Sequence, residues 1–113
     1  MLKKSLRLTR TELSAFFARR FRVYRGDVVL LRVSRNNTKT TKAAFVVSSA
    51  IKRNAPARNM VRRRLNEVIR ELHPRIIPGL DLVFSFALTK KSAPSFQSLK
   101  DDTIKLLSLC GAL

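Results

Sequence analysis

The sequence has one cysteine, one histidine, no tryptophan, three glycines and only seven acidic residues against 24 basic ones. Each scarcity excludes something. A single thiol, Cys110, cannot build a disulfide framework or a multi-cysteine metal site, and it fits a reducing compartment. Its apolar neighbours predict a buried thiol. The sole histidine, His73, precedes Pro74, where a helix stop explains it better than general-base catalysis. The acids are scattered. Asp101-Asp102 is their one adjacent pair and is expected to lie exposed on the last helix. A two-metal nuclease needs several convergent carboxylates, so no catalytic residue and no protein-bound metal are assigned. No Gly-rich phosphate loop is present. No apolar run approaches the ~20 residues that span a bilayer. Residues 1–8 are basic and lack the apolar stretch of a secretory signal, so the expected location is the cytoplasm.

What is abundant is positive charge. The net charge is +17 over 113 residues, and such a chain calls for a polyanionic partner. Nucleic acid is the first choice; charge alone does not separate RNA from DNA. A membrane surface would need a bulky apolar face on an interfacial helix, and the apolar faces here are better used in a core. Hydrophobic residues make up 45% of the chain, enough for one globular domain over 1–113 without disulfides.

Local patterns predict the elements in order. Thr9 or Thr11 caps a first helix with Glu12 in its opening turn, and Leu13, Phe16 and Phe17 follow at helical spacing. Gly26-Asp27 marks a turn. Residues 28–34 and 43–48 are β-prone, and their short polar link makes an antiparallel pair the simplest expectation. A long helix runs from about Pro56 to Leu72 and stops at His73-Pro74. Residues 80–88 form a third strand. Pro94 and Ser95 open a last helix with Phe96, Leu99, Thr103, Leu106, Leu107 and Cys110 on one face and Gly111 as its C-terminal stop. The order α-β-β-α-β-α implies an α/β (α+β) sandwich, a small sheet with helices packed on it.

The long helix carries the charge pattern. Stepped at about 100° per residue, Val61, Leu65, Val68, Ile69 and Leu72 gather into one apolar stripe. One flank holds Arg58, Arg62, Asn66, Asn59, Arg70 and Arg63. Met60, Arg64, Glu67 and Glu71 fall on the other, so the acids are expected to sit apart from the larger arginine group. Guanidinium groups donate bidentate hydrogen bonds to phosphate oxygens and stay charged at any cellular pH. Asn adds neutral donors and acceptors for sugar or base edges. Lys52 and Arg53 lie just upstream and extend the basic run.

These residues resemble the ribonuclease P protein family, whose hallmark helix reads Arg-Asn-Arg-x-Lys-Arg-x-x-Arg-Glu. Arg58 and Asn59 match its opening pair, Arg62 stands at its lysine, Arg63 matches the next arginine and Glu67 the closing glutamate. Met60 and Asn66 replace two arginines. Ser49 and Ala50 replace two lysines that usually follow the preceding strand, 45–48 here. Arg7-Leu8, the first helix and Gly79 to Val83 also look like family segments. Leu13 stands at what looks like a family aromatic position.

The resemblance implies a left-handed β-α-β crossover, against the general right-handed rule. It implies that the catalyst is an RNA subunit working with Mg2+, which removes the 5′ leader of precursor tRNA. The protein would bind that RNA through Arg58, Asn59, Arg62 and Arg63, supported by Lys52, Arg53, Arg64 and Arg70. It would contact the leader in a cleft between the sheet and the first helix, where Phe17, Phe16 and Tyr24 are the candidate stacking rings. Expected partners are the catalytic RNA and precursor tRNA, with no membrane and no small-molecule substrate. The rival readings are a small basic ribosomal or RNA-chaperone-type protein and a stand-alone nuclease.

Overall fold

A computed structural model describes residues 2–49, 55–88 and 93–113. Its first helix, α1 (Arg10–Ala18), opens with a reciprocal capping box. Thr9 Oγ1 accepts from the Glu12 amide at 3.1 Å, and Glu12 Oε1 accepts from the Thr9 amide at 2.9 Å. Strands β1 (Arg22–Arg25), β2 (Leu30–Arg35) and β3 (Lys42–Ser49) follow, then helix α2 (Ala55–Leu72), strand β4 (Leu80–Leu88) and helix α3 (Phe96–Leu109). Ser95 caps α3, and the chain leaves it through a Schellman turn. The Ala112 amide bonds the Leu107 carbonyl at 2.9 Å, and Gly111 takes φ +79°.

The expected order of elements holds, with one strand added. Residues 22–25, Arg-Val-Tyr-Arg, form an edge strand that two flanking arginines had hidden. The sheet order is β1-β2-β4-β3, so the expected pairing of the second and third strands is wrong. β4 lies between them, antiparallel to β2 and parallel to β3. The reason is burial. Leu82, Val83 and Phe84 are each fully buried, so β4 is covered on both faces and takes the centre. The link from β2 therefore crosses the end of β4. Asn36 closes it, with its side chain on the Thr40 carbonyl and on Asp81, both at 2.9 Å.

Alternation along the strands sorts the sheet into two faces. Leu31, Ala43, Val47, Leu80, Leu82, Phe84 and Phe86 face α2 and α3 in the main core. Val61, Leu65, Val68, Ile69 and Leu72 complete that core, as the apolar stripe of α2 predicted. The opposite face carries Arg32, Lys42, Asp81, Val83 and Ser85, and α1 lies across it. Arg19 bonds Asp81 at 2.9 Å and Glu12 bonds Lys42 at 2.7 Å, tying the helix down at that end. Phe16 is fully buried there, outside the main cluster.

Asp102 is buried, not exposed as expected from its charge. Its carboxylate accepts three backbone N–H bonds from the β1–β2 turn: Asp27 at 2.9 Å, Val28 at 3.0 Å and Val29 at 2.7 Å. Gly26 makes that approach possible. A Cβ there would stand 2.3 Å from Asp102 Oδ2. Cys110 is half-buried, with its thiol donating to the Leu107 carbonyl at 3.3 Å, and burial pushes its pKa up.

Candidate nucleic-acid interface

Helix α2 is 18 residues long, about 27 Å at 1.5 Å per residue. Its stripe is held on the sheet, so its charged flank is fixed in direction. Asn59, Arg62 and Arg63 are exposed on that flank. Arg62 Nη1 donates to Asn59 Oδ1 at 3.2 Å, which lines up the two side chains one turn apart. No carboxylate pairs with Arg62 or Arg63 among the described residues. Arg58 is half-buried, and its Nε is shielded from solvent without an acceptor among the described residues.

Other members of the set behave differently. Asn66 is buried at 5% exposure. Its Nδ2 donates to the Arg62 carbonyl at 3.1 Å, so the expected sugar or base contact has no exposed amide to make it. Arg70 is paired with Glu67 at 2.9 Å, one turn back on the helix. The acids are therefore not separated from the arginines at this end. The Arg70 hydrogen bond holds the Glu67 carboxyl below its usual range, and Arg70 is already partly neutralised. Arg64 turns the other way and donates to the Pro94 carbonyl ahead of α3. It stitches two elements together and is half-buried. Lys52, Arg53 and Ala50 lie outside the described residues, as does the Ser49 side chain.

The three aromatic candidates separate as well. Phe17 is 46% exposed, on the α1 side of the sheet. The Arg32 guanidinium sits 5.6 Å from its ring centroid and donates to Ser85 Oγ at 2.8 Å. Phe16 is fully buried and stacks on Phe21 at 5.1 Å, so it supports Phe17 and offers no face to a base. Tyr24 pairs in register with Leu31, which pairs with Phe84, so it lies on the α2/α3 side of the sheet. It cannot share a cleft with Phe17. Arg32, Ser85 and the exposed Val46 were missed in the sequence; strand alternation places all three on the Phe17 face.

The seat of α1 on this face is pH-sensitive. The Lys42 hydrogen bond, with the Thr9 amide, holds the Glu12 carboxyl down at about 2, against an ordinary 4.5. A lowered carboxylate pKa stabilises the fold above 4.5, and that contribution disappears as pH falls towards 2. Glu12 is about one-third exposed, so solvent screening limits its size. Equilibrium unfolding measured across this window should show acid destabilisation in the parent and a flatter profile in Glu12→Gln. Equal profiles would remove Glu12 from the account.

The whole chain has relatives. The ribonuclease P family model, described as Ribonuclease P, matches residues 2–110. The chain belongs to the ribonuclease P protein family. Ribonuclease P protein components of Roseiflexus sp. (strain RS-1) and Chloroflexus aurantiacus (strain J-10-fl) are 30% and 31% identical over 107 and 106 residues. The first alignment covers 92% of this chain and 87% of the relative; the second covers 94% and 78%. Among solved structures, the RNase P protein from Thermotoga maritima superposes with a TM-score of 0.73 at 20% identity, covering 91% of this chain and 96% of that one. A mutant of the Staphylococcus aureus RNase P protein gives 0.77 at 12% identity, covering 97% and 92%. The four-stranded mixed sheet with three helices is thus the fold of ribonuclease P proteins. Of the α2 residues that resemble the family's hallmark motif, Asn59, Arg62 and Arg63 are the exposed ones.

Proposed function

We propose that this ribonuclease P protein binds the catalytic RNA subunit through Arg58, Asn59, Arg62 and Arg63, and receives the 5′ leader of precursor tRNA on the α1 side of the sheet. It thereby assists the endonucleolytic step that leaves a mature tRNA 5′ end. The observation that carries the reading is the exposed Arg62–Arg63 pair, paired with no carboxylate among the described residues and set on the apolar stripe of α2. Phosphates would neutralise that pair, and counterion release would drive the binding. Phe17, braced by Phe16 and Phe21 and flanked by Arg32, supplies a ring face beside a cation for an unpaired base of any sequence.

Bond breaking falls to the RNA in this reading. Among the described residues no three His, Cys, Asp or Glu side chains converge to hold a metal ion. The Mg2+ ions of the reaction are assigned to the RNA in the same reading. His73 has a structural role, its Nε2 lying 2.9 Å from the Thr41 carbonyl. The working compartment is the cytoplasm, where precursor tRNA is made; no helix among the described residues is long and apolar enough to cross a membrane.

The test is reconstitution. Purified protein mixed with a bacterial ribonuclease P RNA and a 5′-extended tRNA should raise the cleavage rate at low Mg2+, while the protein alone should cleave nothing. No stimulation of any such RNA, or cleavage by RNA-free protein, would overturn the proposal.

A further inference from the structure

The α2/α3 face of the sheet is not wholly covered. Register places Arg22 opposite Val33 and Arg35 opposite Leu80, all on this face beside Tyr24. α3 ends at Leu109, and Gly111 reverses the chain before the helix reaches that corner. What remains is a groove of about 1070 Å³ between β1, the β2 end, the segment before β4 and the α3 C-terminus. That is at the upper end of small-ligand pockets and has room for more than one nucleobase.

The groove has two kinds of wall. Tyr24, Val33 and Cys110, half-buried, join the buried Leu80 in an apolar floor continuous with the core, and Ile77, 48% exposed, stands at its margin. The rim carries Arg20, Arg22 and Arg35, all exposed. No acidic residue lines the groove, and none of the three guanidinium groups has a hydrogen-bond or ion-pair partner among the described residues. The floor of the groove lies on the opposite side of the sheet from Phe17, and the α2 arginines are on a different element. Phe21 and Ser34 line the end that reaches round the sheet edge, Phe21 packing against Phe17 at 5.8 Å. Neither proposed contact uses the groove's floor or its three rim arginines.

We propose that this groove is a further single-stranded RNA site, taking an unstacked base against Tyr24 and Ile77 while Arg20, Arg22 and Arg35 hold the neighbouring phosphates. Three unneutralised guanidiniums around an apolar floor select a ligand that is anionic along its length and flat in its side groups. A protein occupant would need matching carboxylates at three rim positions; RNA brings one phosphate per nucleotide. The site rests on the reading of the chain as RNA-binding and extends it to a second face.

The chain has one tyrosine and no tryptophan, so tyrosine ring resonances report this groove alone. Full-length protein is titrated with a uridine octanucleotide at low ionic strength and followed by NMR. The Tyr24 ring protons should move upfield and saturate with binding. Arg20→Gln/Arg22→Gln/Arg35→Gln should weaken the affinity read at Tyr24 by at least about tenfold. Arg62→Gln/Arg63→Gln should leave the Tyr24 shift in place. Unchanged thermal melting of both variants confirms that they are folded. If the α2 resonances move and Tyr24 does not, the groove is not an RNA site although the chain binds RNA. If nothing moves, the RNA-binding reading falls as well. A Tyr24 shift that follows protein concentration without oligonucleotide assigns the groove to a second copy and overturns the proposal.

Discussion

Reversing both charges in Arg62→Glu/Arg63→Glu is expected to lower affinity for ribonuclease P RNA by on the order of a hundredfold or more. Each charge-assisted hydrogen bond contributes about 1.5–3 kcal/mol, and each 1.4 kcal/mol is a factor of ten. The variant should also change the form of the salt dependence. Each phosphate that is no longer neutralised takes roughly 0.7–0.9 from the slope of log K against log salt, so the plot should flatten as well as fall. Both residues are exposed and outside the core, so melting should move little. Arg70→Gln is the matched control. It removes a charge from the same helix, but one already engaged by Glu67 at 2.9 Å, and should cost only a few-fold. Filter binding across a salt series reads all three proteins. A parent-like affinity and slope in the double variant, or an equal weakening in Arg70→Gln, would mean that the RNA lies elsewhere.

The second large effect concerns stability. Asp102→Ala would leave the amides of Asp27, Val28 and Val29 without their acceptor, the Val29 bond buried and the other two part-buried. An orphaned buried group costs about 1–3 kcal/mol and the part-buried ones less, so a total on the order of 3–4 kcal/mol is expected. At about 4–8 °C per kcal/mol for a domain near this size, the melting temperature should drop by roughly 15 °C or more. Asp102→Asn should recover only part, since its amide nitrogen presents hydrogens to one group of donors. Gly26→Ala attacks the same contact from the other side, because its methyl would overlap the carboxylate. In an Asp102→Ala background that overlap is gone. The two destabilisations should therefore be strongly non-additive, and calorimetry on the four proteins of the cycle measures the coupling. Simple additivity would show that the carboxylate and the turn do not act together.

Local features of the fold were legible in the sequence because their causes are local. Thr9 with Glu12, Ser95, and Gly111 after Cys110 each act within four residues of themselves, and all three mark helix ends as expected. The stripe of α2 is a periodicity, readable without knowing its partner. Strand order was not legible, because β4 inserts between β2 and β3 through pairings that span long stretches of chain. Asp102 was misread for the same reason: its three donors lie 73 to 75 residues back in the chain. A hydrophilic residue at a buried helix position looks like a surface residue until its partners are known, and Asn66 repeats the lesson.

At the interface, the identities of Arg62 and Arg63 and the angle of their flank followed from the wheel. Which arginines were already engaged did not. The Glu67 pair and the Pro94 carbonyl decide that for Arg70 and Arg64, and each depends on how a long side chain bends. The aromatic set needed one further fact, the existence of β1. Without that strand, Tyr24 had no assigned face.

The placement of β4 also governs how the molecule is made. Synthesis delivers β1, β2, β3 and α2 before the strand that joins them, and β2 and β3 share no hydrogen bonds of their own. The turn at 27–29 waits longer still, for the carboxylate of Asp102, more than seventy residues further along the chain. Beyond the local β1–β2 hairpin, the long loops must close before the contacts they bring together give any reward. β4 is therefore the closing element of the sheet, and a product cut short before it should be a loose polycation rather than a smaller version of the protein.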